Sequence, residues 1–154
     1  MKKSFSLLIV TLCALFATSC CPCRKASHKA HQPLLATTWV LEQIDGQNVA
    51  SDNSSFKDAC LILGNDGSFS GYGGCNSMGG KYVMTPSEAR SQKDVAGKIE
   101  FGDIFSTKRM CPNDQLEMKL FRTLDKVDSY VVDGEKLLLL SGGELRLVFR
   151  AQQP

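Results

Sequence analysis

The chain has 154 residues, with 18 basic and 16 acidic side chains and a formal charge of +2. That length fits one domain, and so even a balance excludes a general nucleic-acid binder, which needs a basic face. Lys2 and Lys3 fall in a segment read below as removed, which leaves 16 basic against 16 acidic residues.

Residues 1–20 divide into three parts. Lys2 and Lys3 form a positive start, Phe5 to Phe16 is apolar apart from Ser6 and Thr11, and the small residues Ala17, Thr18 and Ser19 precede Cys20. The apolar run is shorter than the about 20 residues that a membrane-spanning helix needs, and it suits a secretory signal. Ser19-Cys20 resembles the end of the bacterial lipobox, with Ala17 where Leu is usual. The expectation is a signal peptide over 1–19 and an acylated Cys20. At about 0.8 kcal/mol per buried methylene, two or three acyl chains would hold the protein durably on a membrane. Cys21-Pro22-Cys23-Arg24-Lys25 and the polar run to Pro33 have no apolar period, so 20–34 reads as a lipidated flexible tether. Cys20 is followed by Cys21 and Pro22 rather than by the Asp that retains enterobacterial lipoproteins in the inner membrane. The expected location is the outer membrane, facing the periplasm.

Residues 35–150 read as one β-rich domain, large enough to bury a core of its own, with 151–154 as a C-terminal tail. Trp39 opens an alternation that puts Trp39, Leu41 and Gln43 on one face and Val40, Glu42 and Ile44 on the other. Asp45-Gly46 is a turn signal, and 51–58 is a polar loop. Leu61-Ile62-Leu63, Asn65-Asp66-Gly67 and Ser68 to Tyr72 form a hairpin signature. Phe69 and Tyr72 fall on opposite faces unless Gly71 hosts a bulge. Gly73-Gly74-Cys75-Asn76 and Gly79-Gly80 read as a glycine-dense crossing, after which Lys81 to Met84 resumes as a strand. After a polar stretch at 85–96, Lys98 to Phe101 is a short alternating strand that Ile104-Phe105 extends.

One helix follows. Asp114 and Glu117 have capping-box spacing, and Leu116, Leu120, Phe121, Leu124 and Val127 recur at helical intervals. Ser129 to Val132, Leu137 to Leu140 and Leu145 to Phe149, joined by Asp133-Gly134 and Gly142-Gly143, predict a three-stranded meander.

Export makes the cysteines a disulfide question. Loss of Cys13 and acylation of Cys20 leave Cys21, Cys23, Cys60, Cys75 and Cys111, an odd number. Cys75 and Cys111 sit at element junctions and are the preferred pair. Closing a loop of about 36 residues contributes roughly 3–4 kcal/mol in the chain-entropy model. Cys60 lies in an apolar strand and reads as a buried thiol. Cys21, Cys23, His28 and His31 are soft metal-ligand types, but their spacing is tighter than structural zinc patterns. The segment reads as tether, and no metal or cofactor is expected.

His28 and His31 are the two histidines of the chain, so the domain holds no histidine base. Asp45, Asp66, Glu88, Asp103 and Asp133 mostly fall in turns or loops, and Gly71-x-Gly73-Gly74 lacks the helix and Gly-Lys-Ser/Thr of a phosphate cradle. The expectation is a protein that is not an enzyme. Thr107, Lys108 and Arg109, with Lys81 and Arg90, are candidates for a basic patch that takes an anionic ligand or lipid headgroup.

Trp39, Gly71-x-Gly73-Gly74-Cys75-Asn76, Gly80 and Tyr82, then Thr107 to Cys111-Pro112, and the terminal set Phe121, Leu124, Val127, Tyr130, Gly134, Leu137, Leu139, Leu147 and Phe149 together resemble the META domain family. More specifically, they resemble the HslJ-like envelope lipoproteins. The resemblance runs from about Leu35 to Arg150, almost the whole predicted domain. It implies a mainly β fold with one helix, a small antiparallel β-barrel or half-barrel, and no known enzymatic activity. It also implies a role in envelope or heat-shock stress. Asn76, Thr107, Lys108 and Arg109 are the candidate binding residues. The expected protein is a lipid-anchored monomer that binds an envelope protein or a small ligand. The alternative is a cysteine-based redox or metal-handling envelope protein. Aromatic residues make up 8% of the chain, which favours a filled, aliphatic barrel interior over a roomy ligand pocket.

Overall fold

The computed structural model describes residues 32–49, 59–87, 95–111 and 114–152. The signal segment, Cys20, Cys21, Cys23, His28, His31, the 51–58 loop, Glu88 and Arg90 lie outside the described residues.

The described elements are β1 (Trp39–Ile44), β2 (Gln47–Asn48), β3 (Cys60–Leu63), β4 (Ser68–Tyr72), β5 (Ser77–Pro86) and β6 (Val95–Ser106). The helix α1 (Gln115–Leu124) follows, then β7 (Ser129–Asp133), β8 (Lys136–Ser141) and β9 (Glu144–Ala151). The sheet runs β1-β3-β4-β5-β6-β7-β8-β9, and β9 pairs back to β1. Every pairing is antiparallel. The result is a closed eight-stranded barrel, with β2 added beside the end of β1. Closure removes the free edges that would otherwise template aggregation, and a barrel of eight strands has an interior that side chains can fill.

Local chemistry explains the turns. Asp45 and Gly46 both hold positive φ, 49° and 74°, as a two-residue hairpin of the I′ type requires. In the β3–β4 turn, Gly67 holds φ 77°, and Asp66 Oδ1 accepts from Ser68 N at 3.0 Å and Ser68 Oγ at 2.6 Å. These bonds to the charged form hold the Asp66 carboxyl below its ordinary pKa.

The alternation misplaces one residue of β1. The register against β9 shifts between Leu41 and Gln43, a bulge that turns Ile44 inward. Ile44 is therefore buried with Trp39 and Leu41 rather than facing out. No bulge interrupts β3–β4, so Phe69 enters the core while Tyr72 stays on the outer face, half-buried. Gly71 serves close approach instead, since a Cβ there would lie 2.1 Å from the Cys60 carbonyl oxygen. Gly79-Gly80 lies inside β5 and is not a crossing. A Cβ on Gly80 would lie 2.5 Å from the Phe69 ring, so the missing side chain makes room for that ring. Phe69 in turn meets Phe101 edge-to-face, with centroids 5.3 Å apart, a geometry worth about 0.5–1.5 kcal/mol beyond area burial.

Strand polarity sorts the two ends. One end carries the β1–β2 turn, the bend at 73–76, the end of β6 and the β8–β9 turn, and α1 lies over it. The apolar stripe of α1, with Leu120 and Leu124 fully buried, continues the core. At the opposite end the chain enters, where Gln32 N donates to Gly134 O and Ala36 N donates to Leu63 O. There Trp39, fully buried, donates its Nε1–H to Leu34 O at 3.0 Å. Packed structure thus reaches past both ends of 35–150, because Gln32 pairs as above and Ala151 belongs to β9. Between the ends, Trp39, Leu61, Leu63, Ile99, Tyr130, Leu137, Leu139, Leu147 and Phe149 are fully buried in one cluster. Burial raises the pKa of Tyr130.

Candidate functional site

The end covered by α1 holds a buried polar cluster under an exposed loop. Asn76 lies between the 73–75 bend and β5, only 5% exposed. Its Nδ2 donates to Glu117 Oε1 at 2.9 Å, and its backbone N donates to Glu117 Oε2 at 2.7 Å. Its Oδ1 accepts from Thr107 Oγ1 at 2.9 Å and from Arg109 N at 2.7 Å. One amide side chain therefore ties the helix and the loop after β6 to the same point. Thr107 adds two more ties, because its N donates to Ser77 O at 3.0 Å and its Oγ1 accepts from Ser77 N at 3.2 Å.

Cys75 and Cys111 are bonded, with Cα atoms 6.3 Å apart across 36 residues of sequence. The loop from Thr107 to Cys111 is thus fastened at residues 107, 109 and 111. Its side chains do the opposite: Lys108 and Arg109 are exposed, and Met110 is fully exposed. Fixed backbone with free cationic and apolar side chains suits recognition of a surface, because little entropy remains to be lost on contact. Beneath it Glu117, the buried carboxylate of the cluster, accepts two bonds from Asn76.

The structure brings Asn76, Thr107 and Arg109 together as one unit, although Asn76 is inside it and has no free polar atom to offer a ligand. Lys108 stands beside the unit, in solvent. Lys81 is four residues along β5 from Ser77, about 13 Å at the usual strand rise. It pairs with Asp103 at 3.5 Å, so it belongs to a separate surface. Cys60 is half-buried in β3. Among the described residues no group of three His, Cys, Asp or Glu side chains could hold a metal ion.

Sequence reasoning missed Glu117 and Met110. Glu117 has capping-box spacing from Asp114, yet the Asp114 side chain makes no cap hydrogen bond and the Glu117 carboxylate is taken by Asn76. A signal was present, since Glu117, Leu120 and Leu124 share one face of the helix, and a carboxylate on an apolar face needs a buried partner. Gly73 gives the second clue. A Cβ there would lie 2.8 Å from Glu117 Cγ, so the glycine-rich bend is shaped around this carboxylate.

One solved structure, described as the NMR structure of a protein from Burkholderia xenovorans, is similar at 25% identity with a TM-score of 0.59. The match covers 79% of this chain and 85% of that one. No curated protein gives a significant match. The META domain matches residues 32–154. With that match over most of its length, on a closed barrel whose glycine-rich bend, threonine–cysteine loop and terminal meander stand where the motifs put them, the chain belongs to the META domain family.

Proposed function

We propose that this protein is a lipid-anchored, non-catalytic envelope module that binds a protein partner through the loop Thr107–Met110, as part of an envelope or heat-shock stress response. The observation that carries the reading is the loop itself, held by Asn76 and the Cys75–Cys111 bond while Lys108, Arg109 and Met110 stand in solvent. Two further features support it. The barrel interior is packed with side chains from Trp39 to Phe149, which favours recognition on the surface over a ligand in the barrel mouth. The chain enters at Gln32, at the end opposite α1, so an anchor at Cys20 leaves the loop on the side away from that entry.

The test is a photo-crosslinking residue at position 110, introduced in the native envelope and followed by identification of the adduct. A single adduct, lost when Lys108 and Arg109 are both changed to Ala, supports the reading. Adducts unaffected by that change, or none, would remove it. Mass spectrometry of the N-terminal peptide tests the anchor, which requires acyl mass on Cys20.

A further inference from the structure

A second site lies on the other flank of α1. An open groove of about 460 Å³ runs between the helix, the β1–β2 turn and the β8–β9 hairpin, within the size range of small-molecule sites. Lys119 and Arg122 line it from the helix, Lys126 from the turn that follows it, and Arg146 from β9. Asp45, in the β1–β2 turn, is the one carboxylate in the lining, 3.4 Å from Lys119 and 3.6 Å from Arg146. Glu144 takes a second position on Arg146 at 2.6 Å. Arg122 and Lys126 have no ion pair among the described residues.

We propose that this groove binds a phosphate group. Four cations from two separate parts of the chain converge on it, and one internal carboxylate answers two of them. Lys119 and Arg122, three residues apart on the helix, and Lys126 just past its end repel one another in the free protein, and an anion seated between them relieves that repulsion. Their position near the C-terminus of the helix also offsets its dipole, but that effect needs neither a groove nor Arg146 from β9. A phosphate carries more charge than a carboxylate and several oxygens, so it can bridge the helix cations to Arg146 while the Arg122 fork takes two oxygens at once. Ser141, at the end of β8, adds a hydroxyl to the lining. This site is separate from the Thr107–Met110 loop and does not depend on it.

Asp45 provides the sharper test, because it occupies part of the field that the ligand would use. Asn tolerates positive φ as Asp does, so Asp45→Asn keeps the turn and removes the competing charge. Calorimetric titration of the purified protein with inorganic pyrophosphate should show saturable binding. That binding should be about tenfold weaker in Arg122→Gln/Lys126→Gln and about threefold tighter in Asp45→Asn, from the usual worth of partly exposed charge pairs. Sedimentation with phosphatidylglycerol-containing vesicles, against phosphatidylcholine alone, distinguishes a lipid-borne phosphate from a free one by the same ordering of variants. Any acyl anchor contributes equally to both vesicle types. The groove variants should fold as the parent does, because Arg122 and Lys126 are exposed. Absence of binding in both arms, or binding indifferent to either variant, overturns the proposal.

Discussion

Glu117 and Asn76 meet across 41 residues of sequence, with both carboxylate oxygens of one accepting from the backbone and side-chain amides of the other. That contact fixes α1 on the barrel end and aims the other side of the Asn76 amide at the loop after β6. A buried carboxylate is costly unless its oxygens are hydrogen-bonded, and here the same residue bonds both oxygens.

Glu117→Gln should destabilise the fold by about 1.5–3 kcal/mol, the worth of hydrogen bonds to a charged group. The new amide also presents a donor to a donor. Denaturant unfolding measures the loss, with an unchanged m-value showing that the native state stays compact.

Gly73 and Glu117 are coupled by contact. Gly73→Ala alone should cost about 1–3 kcal/mol by overpacking. In a Glu117→Ala background the same change should cost far less, because the space is then empty. A double-mutant cycle reads this as a coupling energy of about 1 kcal/mol or more. Additive losses would mean that the bend is not shaped by the carboxylate.

Replacing Cys75 and Cys111 with Ser should lower stability by roughly 4 kcal/mol in the chain-entropy model, with circular dichroism of the barrel retained below the new transition. Asn76 still holds residues 107 and 109 in that variant, so the loop loosens chiefly at its Cys111 end. Hydrogen exchange should quicken there first. A free-thiol count under mild reductant separates the structural bridge from the redox alternative. A bond that resists exchange is structural, and one that opens readily favours redox work.

Asp128 accepts from Ser129 Oγ at 2.6 Å and from the Gly142 amide. The Ser129 hydroxyl first, then Gly142, lowers its pKa. A carboxyl lower in the folded than in the unfolded chain adds stability above the unfolded value of about 3.9 and loses it as the pH falls through the folded pKa. Asp128→Asn should therefore melt below the parent at neutral pH, and the gap should close as the pH drops below about 4. A gap that persists unchanged to about pH 2 would show that the bonds do not depend on charge.

The local parts of the fold were legible in sequence. Asp45-Gly46 and Asp133-Gly134 mark their turns by themselves, and Leu116, Leu120 and Leu124 announce their helix without reference to anything distant. The failures all involve partners far along the chain. Ile44 turns inward because β9 shifts register opposite Glu42, which β1 cannot show alone. Gly79 and Gly80 read as a crossing because the rings that need their space, Phe105 and Phe69, come from β6 and β4. Closure of β9 on β1 could not be read from any one strand. At the site, Thr107 and Arg109 were visible as a pattern. The reason they act together, a single amide on Asn76 anchored in turn by Glu117, exists only once the barrel has closed.

A partner can be recognised here only if the loop is exposed yet fixed, and backbone 15N relaxation measures that directly. Order parameters at residues 107–111 should equal those of the strands, about 0.85, and should fall in Asn76→Ala. Values below about 0.6 in the parent protein would contradict partner recognition through a preformed loop, because a loop that moves freely presents no such surface.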